Sequence, residues 1–412
     1  MSQDASLTLE NTLGPVRLGG TAFIAVLAGH VFVDTLATLV PSTLGLLEVR
    51  VGMTAQQSAW LLGLGPLCSG LSQPICALIS DRRNTRLLGI IGVALGGLGI
   101  CSLGLASNAT TLALIYALGM IGIGMFHPVG ATTIGHLRSH KRNSAMSLFF
   151  VAGMVGGVSG AYMWPRVLVL PLGFRYLSLA LVPALGLLVV LQRSFAQLTP
   201  NGHSSTGMPV VRASRDKWAM VGLLYFATCL KFCVNMALVY LFVRWTQATV
   251  SAEHVHWSAA QVARFAAPWV GDLNAAMLLG MALGGFAAGL LVRMGREKWP
   301  LVCVPILFAP VIALFPHAPV GLGYVLATLA GIGFASMIPI TIALSQRLLP
   351  HRANLASSLM MGGAWAVATL GPVCAEFGVQ RWGLSFTFLL TACTLAVSGL
   401  VCAPLPNRAA RG

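Results

Sequence analysis

Charge is scarce in this chain: Asp, Glu, Lys and Arg make up 8% of 412 residues, whereas 57% are hydrophobic and the mean hydropathy is +0.83. A soluble domain of ordinary composition carries about a quarter charged residues, so that class is excluded. No phosphate-binding loop or nucleotide fingerprint occurs, which leaves ATP-driven work without support. No nucleophile stands beside a base, so an enzyme is not expected. The nine cysteines fall almost wholly in apolar runs with no CxxC pair, as small buried hydrophobes do. Glu253, His254 and His256 are the nearest approach to a metal cluster, but no further ligand accompanies them, and neither metal nor cofactor is expected. The first eighteen residues lack a charged start followed by a small-residue cleavage pattern, so the first apolar run is expected to be retained.

Long apolar segments are what the chain has instead. Twelve runs near the ~20 residues needed to cross a bilayer are read at 21–47, 54–79, 87–106, 110–136, 143–166, 172–191, 218–246, 272–292, 299–315, 319–347, 354–378 and 384–403. Spans in lipid are helices or closed barrels, and these runs do not alternate in polarity as strands would. Residues 192–217, rich in Pro, Gly and Ser, divide the chain into six spans (1–191) and six more (218–412). The stretch Ser258–Trp269, in a long loop at 247–271, is read as a short interfacial helix.

The net charge of +15 has a topological origin. With an even number of spans, eighteen Lys and Arg fall on the side of the termini and six (Arg50, Arg166, Arg175, Arg244, Arg264, Arg381) on the other, with Lys231 alone inside a span. The positive-inside rule then puts both termini in the cytoplasm of a cell inner membrane, and no nucleic-acid partner is required. The halves repeat weakly: Arg142–Gly153 aligns with Arg352–Gly363, and Arg166 meets Glu376 in the same register.

Ionisable residues inside such spans are costly and by default functional. His30 and Asp34 lie four apart on one face of the first span, ten to fourteen residues deep. Lys231 and Asn235 occupy the matching depth of the seventh span, and His127 lies midway along the fourth, ahead of Pro128. The expectation is one midplane cluster in which Lys231 neutralises Asp34 and a histidine exchanges protons. The competing reading is that each is a satisfied polar group joining helix to helix. Gly153, Gly156, Gly157 and Gly160 offer small-residue spacing for close helix contact. Asp81, Arg82 and Arg86, in the basic turn after the second span, are expected to act as a cytoplasmic latch.

Two six-span halves with a basic turn after the second span resemble the major facilitator superfamily. More narrowly, Gly29-His30-Val31-Phe32-Val33-Asp34, Gln73-Pro74 ahead of Asp81-Arg82, and Phe126-His127-Pro128 resemble its fosmidomycin-resistance branch. That resemblance implies a secondary transporter whose first, fourth, seventh and tenth helices line a cavity, with Ser336, Thr341 and Ser345 also around it. It further implies proton-coupled efflux of a small polar, anionic or drug-like molecule. Val129 stands where the branch commonly has an acid, removing one candidate proton carrier. The expectation is an all-α membrane exporter of twelve helices in two bundles, working as a monomer on a small-molecule substrate and protons. The rivals are a proton-coupled importer of an organic anion and a receptor that kept the fold.

Overall fold

Apolar runs without water around them must satisfy their amides internally, and all twelve do so as helices. The computed structural model describes residues 18–80, 86–137, 142–196 and 214–407. The helices are α1 (Gly20–Val51), α2 (Ala55–Ser80), α3 (Leu87–Leu105), α4 (Ala109–Ile134), α5 (Ala145–Leu168), α6 (Gly173–Arg193), α7 (Arg215–Glu253), α8 (Ala259–Leu291), α9 (Lys298–His317), α10 (Val320–Leu348), α11 (Leu355–Trp382) and α12 (Leu384–Leu400). Ten are long and apolar enough to cross a membrane; α2 carries more polar residues and two prolines, and α12 is 17 residues long. This is the twelve-span all-α architecture expected from the apolar runs.

Among the described residues three helices break, each shortly ahead of a proline. α1 is interrupted at Thr38, α10 at Ser336 and Met337, and α11 at Ala368 and Thr369. Pro41, Pro339 and Pro372 follow within a few residues; each lacks a backbone donor, and its ring clashes with the carbonyl four residues back. Pro128, by contrast, leaves α4 continuous.

The expected 247–271 loop is not there. α7 runs to Glu253 and α8 begins at Ala259, so Ser258–Trp269 forms the cap and opening turns of a 33-residue helix. Ser258 and Gln261 make a reciprocal capping box that starts it. At the other boundary, α6 continues to Ala196 and α7 starts at Arg215; residues 197–213 lie outside the described set.

Glycine sets how closely the helices approach. Side chains added at Gly156 and Gly160 would meet the backbone carbonyls of Val31 and Thr35, so α5 lies directly on α1. α11 lies on α7 in the same way, with Gly371 against the Cys233 backbone, which is the repeat made visible in packing. Gly157 instead faces Leu278 of α8. Between the first six helices and the last six, the main seams are α5 on α8, α2 on α11, and the outer segment of α1, Leu39–Val51, on α8. The other segment of α1, which carries His30 and Asp34, packs chiefly on α3, α4, α5 and α6.

Candidate functional site

His30 and Asp34 are one turn apart on α1, which aims both at the same neighbours. His30 Nε2 lies 3.3 Å from Asp34 Oδ2, and His127 Nε2 of α4 lies 3.1 Å from Asp34 Oδ1. The other nitrogen of each ring bonds a backbone carbonyl: His30 Nδ1 to Phe149 at 2.7 Å and His127 Nδ1 to Ile123 at 2.8 Å. The two imidazoles meet edge to face at 5.1 Å, and Phe149 stacks on His30 at 3.8 Å. A single carboxylate thus joins α1 to α4, and the His30 ring carries the linkage to α5.

A carbonyl only accepts, so both Nδ1 atoms carry hydrogen. His127 Nε2 is hydrogen-bonded to Asp34 Oδ1, whereas His30 Nε2 stands beside Oδ2 as an ion-pair contact within the same helix. The Asp34 and His127 side chains keep 18% and 27% of their surface accessible, so the cluster is not sealed. The three ligating atoms also lie within 4.8 Å of one another, a spacing compatible with a divalent ion.

The second half of the expected cluster lies elsewhere. Among the described residues no ion pair joins Lys231 to Asp34; Lys231 is fully buried and its Nζ has no hydrogen-bond partner. Asn235 points its amide at the sulfurs of Met277 and Met281 on α8, 3.7 and 3.8 Å away. Matching depth in two helices did not mean a shared face. Thr341 and Ser345 bond carbonyls of their own helix, at Ile338 and Ile342, and Ser336 is buried with its hydroxyl unpaired. Asp81 and Arg82 lie outside the described residues; Arg86 opens the helix that continues as α3, and its side chain is likewise outside them.

Sequence reasoning missed the charged clasp at the opposite end. Arg244 of α7 pairs with Glu48 of α1 at 3.1 Å and receives support from the Tyr240 hydroxyl at 2.7 Å, and that hydroxyl donates to Glu376 of α11. Arg166 of α5 grips Asp272 of α8 with two bonds of 2.8 and 3.0 Å. Glu48 and Asp272 both reach across the seam, and both could have been found as acids near span ends in a chain with ten Asp and Glu in all. Gly153 was read as packing alone, yet a Cβ there would fall 2.5 Å from Asp34 Oδ2 and 2.7 Å from His30 Nε2.

The sequence profile described as Major Facilitator Superfamily matches residues 22–263 and 232–412. The chain is 25% identical over 387 residues to the uncharacterized MFS-type transporter YfnC of Bacillus subtilis (strain 168), covering 92% of this chain and 91% of that protein. It is 23% identical over 394 residues to the fosmidomycin resistance protein of Escherichia coli (strain K12), covering 93% and 92%. Among solved structures, a bacterial homologue of the human lysosomal transporter Spinster, in an inward-facing and occupied conformation, superposes with a TM-score of 0.68 at 14% identity, covering 92% of this chain and 95% of that one. Its inward-facing and unoccupied form gives 0.61 at 16% identity, covering 94% and 95%.

Proposed function

This chain belongs to the Major Facilitator Superfamily, and from that premise we propose that it is a proton-coupled exporter of a small polar or drug-like molecule, with His30, Asp34 and His127 as its proton site. It is a multi-pass membrane protein and a secondary transporter. The arrangement of the cluster carries the finer reading: His127–Asp34 ties α4 to α1 and His30 ties α1 to α5, so a proton gained or lost at Asp34 or His127 acts directly on the α1–α4 contact. The rocking unit is the six-helix half (1–191 against 218–412), the 192–217 stretch links the halves, and the basic loops place both termini in the cytoplasm.

Arg166–Asp272 and Arg244–Glu48 clasp the two halves at the end away from the basic turns. Export is favoured over import by the likeness to a protein named for fosmidomycin resistance. Asn235 and Lys231, deep in the second half, are assigned to cargo binding in another stage of the cycle, since a buried ammonium without a bonding partner is functional by default.

Proteoliposome flux tests this. An inward proton gradient should drive a phosphonate or antibiotic outward in wild type, whereas Asp34→Asn should lose the gradient-driven component and keep cargo-for-cargo exchange. Cargo moving in the same direction as protons would make the protein an importer. Gradient-driven flux at the wild-type rate in Asp34→Asn would remove the proton-site assignment.

A further inference from the structure

A cavity lies outside the His30–Asp34–His127 cluster and outside both clasps. α8 and α9 both lean on α10, and between them, at the end where a short turn joins α8 to α9, opens a groove of about 960 Å³. Its walls are apolar, with Leu291 and Ala288 on one side, Phe308 on the other and Ile332 on the floor. Its mouth is strongly basic. Arg293, Arg296 and Lys298 line it, and none of the three has an ion-pair partner among the described residues. The acid between them, Glu297, is already bonded to Arg347 of α10. A third feature lies deeper: Ser336 lines the groove, is only 5% exposed, and has a hydroxyl with no partner.

We propose that this groove is a binding site for an acidic phospholipid drawn from the leaflet on the side of the basic turns. The phosphate and any further headgroup charge meet the three cations at the mouth; one acyl chain lies along the apolar walls. Ser336 sits beside Gly284, seven residues and ~10 Å along α8 from Leu291, so it lies well below the headgroup, alongside the acyl chain. Three uncompensated cations select a headgroup without an ammonium over a zwitterionic one, because an ammonium would be repelled at the same mouth. The site stands independently of the proton reading.

Two residues in the groove report on occupancy. Trp299 lies at the mouth and the exposed Cys303 on the wall. Full-length protein in detergent is titrated with phosphatidylglycerol or phosphatidylethanolamine carrying brominated chains, and the Trp299 signal is isolated by difference from Trp299→Phe. The expected result is half-maximal quenching at roughly tenfold lower phosphatidylglycerol than phosphatidylethanolamine, a preference lost in the Arg293→Gln, Arg296→Gln, Lys298→Gln triple variant. In wild type, phosphatidylglycerol should slow maleimide labelling of Cys303, read by peptide mass, while inorganic phosphate should not. Equal quenching by the two lipids, or an unchanged preference in the triple variant, overturns the proposal. Protection of Cys303 by inorganic phosphate alone would make this an anion site and overturn it as well.

Discussion

Gly153 of α5 lies so close to Asp34 of α1 that one added carbon would sit 2.5 Å from its carboxylate. The His30–Asp34–His127 cluster therefore has a wall built from the absence of a side chain. Three residues on, Gly156 faces the Val31 carbonyl, so a carbon there meets backbone that cannot swing aside. The two positions look alike in sequence and differ in what they touch.

Gly153→Ala is expected to displace Asp34 or His30 and lower gradient-driven flux at least tenfold, with the amount of folded protein in the membrane unchanged. Gly156→Ala should instead push α5 from α1 and cost ~1–3 kcal/mol of stability, read as a lower midpoint in a thermal-shift assay. Equal effects of both on stability, with no separate loss of flux in Gly153→Ala, would reduce Gly153 to packing.

Lys231→Met removes a buried ammonium that lacks a bonding partner and replaces it with an apolar chain of similar length. Removing an unsatisfied buried polar group relieves a desolvation cost of ~1–3 kcal/mol, so the melting midpoint should rise. Flux should fall at the same time if the residue serves cargo, as proposed. A gain in stability with wild-type flux would take Lys231 out of the site.

The Arg166–Asp272 clasp bridges the halves, with side chains 35% and 25% exposed. At that exposure the pair is worth no more than ~1 kcal/mol, or about fivefold in the balance between conformations. Arg166→Asp and Asp272→Arg should each weaken closure of that end, seen as faster labelling of an engineered thiol from that side. The double exchange should restore protection; its failure would show that the pair does not hold the seam.

Glu297 sits outside the spans at the turn after α8. Burial raises its pKa, but the Arg347 bond and two backbone amides outweigh that and hold it below the ordinary carboxylate value. Since the folded value is the lower one, the pair contributes at neutral pH and is lost as pH falls through that value, below ~4.5. Glu297→Gln should cost ~1–2 kcal/mol at pH 7 and nothing once wild-type Glu297 is protonated. A cost independent of pH would point to packing.

Legibility differed from element to element. The His30–Asp34 pair was readable because four residues return a helix to the same face, and His127 because Phe-His-Pro marks its span. The absence of a Lys231–Asp34 pair was not readable: counting residues gives depth along a helix, not which neighbour a side chain meets. Ser258–Trp269 was readable as helical, but its continuity with the eighth span was not, because Arg264 and Asp272 interrupt the apolar run.

The amino-acid order by itself determined that this is a membrane protein of twelve helices, since apolar runs of that length must be helical in lipid. Only the tertiary structure decided that one carboxylate is shared by two histidines from different helices, that Glu48 and Asp272 find arginines across the seam, and that Lys231 stays apart. Contacts between distant segments depend on helix rotation and on glycine-set approach, and neither is written in the local pattern.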